Sequence, residues 1–277
     1  MIKALIFDMD GTLLASNDLV MKIYETLTSV YGPKVALSHI ESEYILAKGY
    51  PEVIDILYQE QRDFYIEKIY EIHQKISKPY LSLYEDTIKL LDFLKSHNIQ
   101  IFLVTSELRR ITENQLKYLN IYEYFDEIVA FDDVKEPKPS PLGINYLMNK
   151  YHLNNESVLF VGDSITDALA SKAAMIKSVY MNHHHQNEKT KYFDLTMDSL
   201  NELISYIDSM IPAYTLNLGV QQSLKIVQFT DLHLMNNESD INTFNLLDQM
   251  IMDETPNLIV FTGDQTMSKD SENLYEK

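Results

Sequence analysis

The sequence predicts an α/β protein: a Rossmann-like parallel sheet with an inserted helical cap, followed by an incomplete C-terminal α/β fragment. Three observations carry this reading. Short apolar runs alternate with amphipathic stretches between residues 86 and 181, the order that builds a parallel sheet covered by helices on both faces. Between the first and second apolar runs lie about 60 residues without a convincing strand, too many for a simple crossover. Beyond Pro212 the alternation starts afresh.

The chain has 277 residues, enough for one or two domains. Residues 2–7 form a continuous apolar run and read as a buried strand. Residues 17–30 and 52–76 read as amphipathic helices, with a shorter one at 38–47; Gly32-Pro33 and Gly49-Tyr50-Pro51 punctuate them. The remaining core strands fall at 99–104, 128–130, 158–161 and 178–181, and helices at 86–97, 109–119, 141–151 and 165–174. A helix at 198–210 stops at Pro212. The expected domains are a catalytic core at 1–14 and 81–212, a cap at 15–80, a linker at 213–223 and a fragment at 224–277. Within the fragment, strands at 224–229 and 258–261 flank a helix at 241–252.

Acidic residues outnumber basic ones 41 to 23, for a formal charge of −18. A field of that sign repels nucleic-acid phosphates and anionic membranes, so neither is an expected partner. A phosphorylated metabolite is accepted only where a site supplies local positive charge or a metal ion. With no cysteine, disulfides and thiolate metal sites are excluded, and a reducing cytoplasm is the expected location. No apolar run approaches the roughly 18–20 residues of a membrane span, and the N-terminal run is too short for a signal peptide. Oligomeric state is open.

Four segments carry chemistry. Asp8-Met9-Asp10-Gly11-Thr12 follows the first strand, where two carboxylates can serve one cleft and Gly11 permits a tight turn. Thr105-Ser106 ends the second core strand, with hydroxyl and N–H groups able to hold phosphoryl oxygens. Lys138 stands between Pro137 and Pro139, which limit its backbone freedom; a fixed cation offsets charge on a transferring phosphoryl group. Gly162-Asp163-Ser164-Ile165-Thr166-Asp167 joins a strand to a helix. Its two carboxylates, brought near Asp8, make an oxygen-rich site suited to Mg2+.

These segments, in this order, resemble the haloacid dehalogenase superfamily phosphatases over about residues 1–212. The resemblance implies a Mg2+-dependent phosphomonoesterase acting on a small phosphorylated metabolite. Asp8 would be the nucleophile and form an aspartyl-phosphate, and Asp10 the general acid and base. Thr105, Ser106 and Lys138 would grip the phosphoryl group. Asp8, the Asp10 carbonyl and Asp163 would hold Mg2+, with Asp167 as ligand or support. The helical insert matches a C1-type cap, and Lys48, Gly49, Glu107 and Arg109 become candidates for substrate selection. Asp10 disfavours dehalogenase and carbon–phosphorus chemistry, where the second acid is typically missing. A phosphomutase is the alternative, although Val20 stands where such mutases carry a His in the first cap helix. Ala15, where many relatives have Asp, touches the hinge more than the chemistry. The His run at 183–185 reads as polar surface.

The tail carries a second signal. Asp231-Leu232-His233 and Gly263-Asp264 each follow an apolar run, which resembles the opening of a calcineurin-like metallophosphoesterase. The later Gly-Asn-His and Gly-His-x-His segments of that family do not follow. A site for Mn2+ or another divalent ion at Asp231, His233 and Asp264 is therefore expected only if that domain is completed. The tail reads as a truncated piece of a longer two-domain hydrolase, with a phosphodiesterase as the lost activity. A fragment this small buries too little to stand alone.

Overall fold

The computed structural model describes residues 2–185, 187–211, 226–230, 238–254 and 258–262. Contacts divide the chain into two compact units, Met1–Pro212 and Ala213–Lys277.

In the first unit, β1 (Ala4–Phe7), β2 (Gln100–Val104), β3 (Glu127–Val129), β4 (Val158–Gly162), β5 (Lys177–Met181) and β6 (Leu195–Met197) form one sheet in the order β3-β2-β1-β4-β5-β6. Every pairing is parallel. β1 lies inside the sheet with every side chain buried, which explains its unbroken apolar run. Side chains alternate along a strand. Leu5 and Phe7 pack with Leu90, Leu94 and Leu203, whereas Ala4 and Ile6 pack with Ile144, Leu147 and Ala170. Helices α5 (Thr87–Ser96) and α9 (Leu200–Met210) thus cover one face, with α7 (Leu142–Lys150) and α8 (Ile165–Ala173) on the other. The parallel α/β class expected from the sequence is the observed one.

The insert between β1 and β2 is helical: α1 (Asn17–Tyr31), α2 (Ser42–Leu46), α3 (Tyr50–Tyr58) and α4 (Arg62–Ile76). Its own core joins Leu19, Ile23, Val53, Leu57 and Ile69 and reaches Leu108 and Ile111 at the start of α6 (Arg109–Tyr118). The single helix expected over 52–76 is two. Gln59 (φ 65°) and Gln61 (φ 57°) take left-handed conformations and reverse the chain, so that Tyr58 stacks on Tyr65 with ring centroids 3.7 Å apart. The apolar spacing continues across this reversal, which hid it from a periodicity reading. β6 was also missed: three residues, only one of them buried, leave no strand pattern.

In the second unit, β7 (Ile226–Thr230) and β8 (Leu258–Thr262) pair in parallel, with α10 (Glu238–Glu254) between them in sequence. This is the strand–helix–strand order expected there. Asp231, His233 and Asp264 lie outside the described residues. Among the described residues no helix is long and apolar enough to cross a membrane.

Candidate active site

The strand order reverses direction at β1, where an α/β sheet leaves a crevice beyond its carboxyl ends. Phe7 stands level with Leu103 of β2 and Val161 of β4. Asp8, Thr105 and Asp163 therefore leave the sheet within two residues of one level. A cleft at this edge is lined by Asp8, Asp10, Thr105, Ser106, Glu107, Lys138, Asp163 and Ser164 from the core. The cap adds Val20, Leu46, Ala47, Lys48, Gly49 and Tyr50. The cavity volume is ≈ 40 Å³, room for about three waters if each needs ~10–15 Å³.

Two glycines allow this convergence. Gly11 turns the chain after Asp10 at φ +79°, and a β-carbon there would strike the Asp163 carboxylate. Gly49 brings cap backbone onto the core: a β-carbon would come within 2.7 Å of the Ser106 carbonyl oxygen.

Lys138 is buried and its Nζ donates to Asp8 Oδ1 at 2.5 Å and to Asp167 Oδ1 at 2.6 Å. Burial works against its charge, but Asp167 and Asp8 outweigh burial and hold it above the ordinary lysine range. The carboxylates are not balanced in return. Burial drives the Asp8 carboxyl well above its ordinary value, and Asp167 and Asp163 add to this, against the opposing pull of Lys138. Burial, then Asp167, push Asp163 up to about 7. Oxygen atoms of Asp8, Asp163 and Asp167 lie within 4.8 Å of one another. Hard oxygen donors with unbalanced negative charge are the donor set that Mg2+ takes, so these residues fit that ion. Among the described residues this is the one acidic or His cluster with such spacing.

Asp10 accepts a hydrogen bond from Ser16 Oγ, and its carboxyl is raised chiefly by burial. Asp167 does not line the cleft. It is fully buried behind it, caps the first turn of α8 with Ser164 and receives Lys138. Glu107 lines the cleft with its carboxyl raised well above the usual range, first by burial and then by Asp10. Lys48 lines it too, held by Glu52 at 3.0 Å.

Arg109 requires correction as a substrate-selecting candidate. Its guanidinium is drawn to Asp133 and Glu113 and donates to the Ile128 carbonyl at 2.6 Å, so it braces β3 against α6 and lines no part of the cleft. The His run is also not simply polar surface. His183 stacks on Tyr84 with centroids 3.6 Å apart, and its Nε2 lies 3.0 Å from the Thr12 carbonyl, to which it can only donate. It steadies the loop that carries Asp8 and Asp10.

Three site residues escaped the sequence reading. Ser16 and Ser164 hold carboxylates, and Ser164 stood inside a motif already quoted. Tyr50 follows Lys48-Gly49 directly, and its hydroxyl meets His73 Nε2 at 2.9 Å. Burial holds His73 down at about 4, from an ordinary 6.5. A histidine kept neutral in this way stabilises the fold above pH 6.5, and that contribution drains away as pH falls toward 4. Between pH 7 and pH 5 the native chain should lose about 2 kcal/mol more than His73→Gln, as read by urea unfolding at each pH.

The comparisons agree with this geometry. The model of the haloacid dehalogenase-like hydrolase family matches residues 5–181. The pyrophosphatase PpaX of Halalkalibacterium halodurans is 30% identical over 192 residues, covering 68% of this chain and 86% of the relative. A phosphoglycolate phosphatase of Vibrio vulnificus is 27% identical over 223 residues, covering 74% of this chain and 96% of the relative. In fold, the chain is similar to CbbY from Rhodobacter sphaeroides in complex with phosphate: TM-score 0.66, 21% identity, covering 73% of this chain and 96% of that one. The protein belongs to the haloacid dehalogenase-like hydrolases, and its relatives include phosphatases of that family.

Proposed function

We propose that the protein hydrolyses a small phosphomonoester through an aspartyl-phosphate on Asp8, with Asp10 as acid and base and Mg2+ as cofactor. The observation that carries this is the convergence of Asp8, Asp10, Thr105, Lys138 and Asp163 on one cleft. Asp8 attacks phosphorus as the ester oxygen departs. Asp10, raised by burial and steadied by Ser16, gives that oxygen its proton, then takes one from the water that hydrolyses the intermediate. Thr105 and Ser106 hold phosphoryl oxygens, and Lys138 faces the charge that accumulates there. Asp8, Asp163 and the Asp10 carbonyl would hold Mg2+, with Asp167 in support; the ion supplies charge neutralisation for the phosphoryl oxygens. The small cavity favours a small leaving group and exclusion of water under the cap.

The test is Mg2+-dependent phosphate release from an aryl phosphate, with product analysis on a sugar phosphate. Free phosphate supports the reading, and an isomerised sugar phosphate would replace it with a mutase. Asp10→Asn should lower kcat by about 10²–10⁴-fold, the usual share of general acid–base catalysis.

We place the protein in the cytoplasm, since it lacks cysteine and the described residues hold no helix able to span a membrane. For residues 224–277 we propose a metallophosphoesterase-like beginning. Its parallel strand pair supports this, as do Asp231, His233 and Asp264 in sequence; the family match ends at residue 181 and does not bear on it.

A further inference from the structure

We infer that Glu107 makes the cleft select substrates whose leaving group presents a hydrogen-bond donor, hydroxyl or ammonium, and reject those carrying a second anionic group. The inference rests on the phosphatase reading of the cleft and concerns only what it selects.

The two ends of the cleft differ in charge. The phosphoryl end has Lys138 and the oxygen set that fits Mg2+. The end toward the cap has Glu107, whose side chain is buried apart from the face it turns to the cleft. One carboxylate oxygen accepts the Leu108 N–H at 2.6 Å. No described residue donates to the other. The groups that act on Glu107 are the carboxyls of Asp10 and Asp132, and neither is a cation. On the cap, the phenols of Tyr24, Tyr50 and Tyr70 are raised first by burial, with Glu107 adding to each. The Tyr50 hydroxyl is occupied by His73.

Among the described residues that line the cleft, no lysine is free to answer a second anion. Lys48, the other lysine of the cleft, is bound to Glu52 at 3.0 Å. Arg109, two residues on, is taken by Asp133 and Glu113. A leaving group bearing a carboxylate or phosphate would lose its water and meet the carboxyl groups of Glu107 and Asp10 with no cation to pair it, which is costly. A hydroxyl or ammonium would instead satisfy the unpartnered oxygen; a donor placed there favours the ionised form of a carboxyl that burial and Asp10 otherwise hold up, and the bond to the ionised form is the stronger kind. A site built to bond a donor discriminates steeply against substrates that leave it unpaired.

The experiment compares kcat/KM with Mg2+ for phosphoethanolamine, glycerol 3-phosphate, phosphoglycolate and pyrophosphate, on the full chain, Glu107→Gln and Glu107→Lys. An aryl phosphate serves as the control. The native chain should favour the first two probes by about 100-fold over the last two. Glu107→Gln should narrow that ratio, and Glu107→Lys should reverse it. Native preference for phosphoglycolate or pyrophosphate overturns the inference. So does activity on the aryl phosphate without preference among the four probes, or a preference that neither variant moves. If Glu107→Lys fails to fold, the native order and Glu107→Gln still decide. Absence of phosphate release from all five compounds would instead overturn the phosphatase reading itself.

Discussion

Asp8→Asn should reduce phosphate release by roughly 10⁴–10⁶-fold, the scale on which an enzyme feels the loss of its covalent nucleophile. Asparagine keeps the shape and can still accept from Lys138, so the loss reports chemistry rather than collapse. The same variant should be more stable than the native chain when Mg2+ is removed. Asp8 ionises at 3.8 in its ordinary state and well above that when folded. Its penalty is therefore absent at low pH and grows as pH rises past 3.8. At pH 8 in EDTA a neutral Asn should raise Tm by roughly 2–4 °C, what about 1 kcal/mol achieves in a domain of this size. The stabilisation by added Mg2+ should shrink in parallel. Unchanged turnover in Asp8→Asn would end the aspartyl-phosphate mechanism.

Lys138→Met should cost both activity and stability. Its ammonium is the cation that Asp8 and Asp167 share, at 2.5 and 2.6 Å. Removing one partner of a buried pair leaves uncompensated charge, typically about 3–5 kcal/mol. Loss of a group aimed at the transferring phosphoryl costs about 10²–10³ in kcat. Lys138→Arg should not restore the activity, because a planar guanidinium does not replace a compact ammonium between two carboxylates. Urea unfolding in EDTA and kcat measured with saturating Mg2+ separate the two losses. A Lys138→Met chain as stable as the native one would mean that the carboxylates hold their own protons and never needed the lysine.

The core elements were legible because each rests on a local rule. β1 is a continuous apolar run since both of its faces are covered. The turn at Gly11 and the helix cap at Ser164 are written in residues a few positions apart. The reversal at Gln59 and Gln61 was not legible: neither residue type demands φ > 0, and the cap core that rewards it joins helices far apart in sequence. Arg109 misled for a similar reason. Two residues past Glu107, it looked equally able to serve the cleft, but its direction is set by Asp133, 24 positions away.

By itself the sequence determined the alternation of strand and helix, the inserted cap, and the order of the carboxylates, Thr105 and Lys138, because these follow from periodicity, turn chemistry and short spacing. Only the tertiary structure decided that Lys138 would be shared by Asp8 and Asp167, that Asp167 would stand behind the cleft, and that Glu107 would line it with no cation among the described residues acting on it. Those outcomes depend on burial and on partners 29 to 130 residues apart. Electrostatic energy is governed by distance through space and by the exclusion of water, and neither quantity exists until the chain has folded.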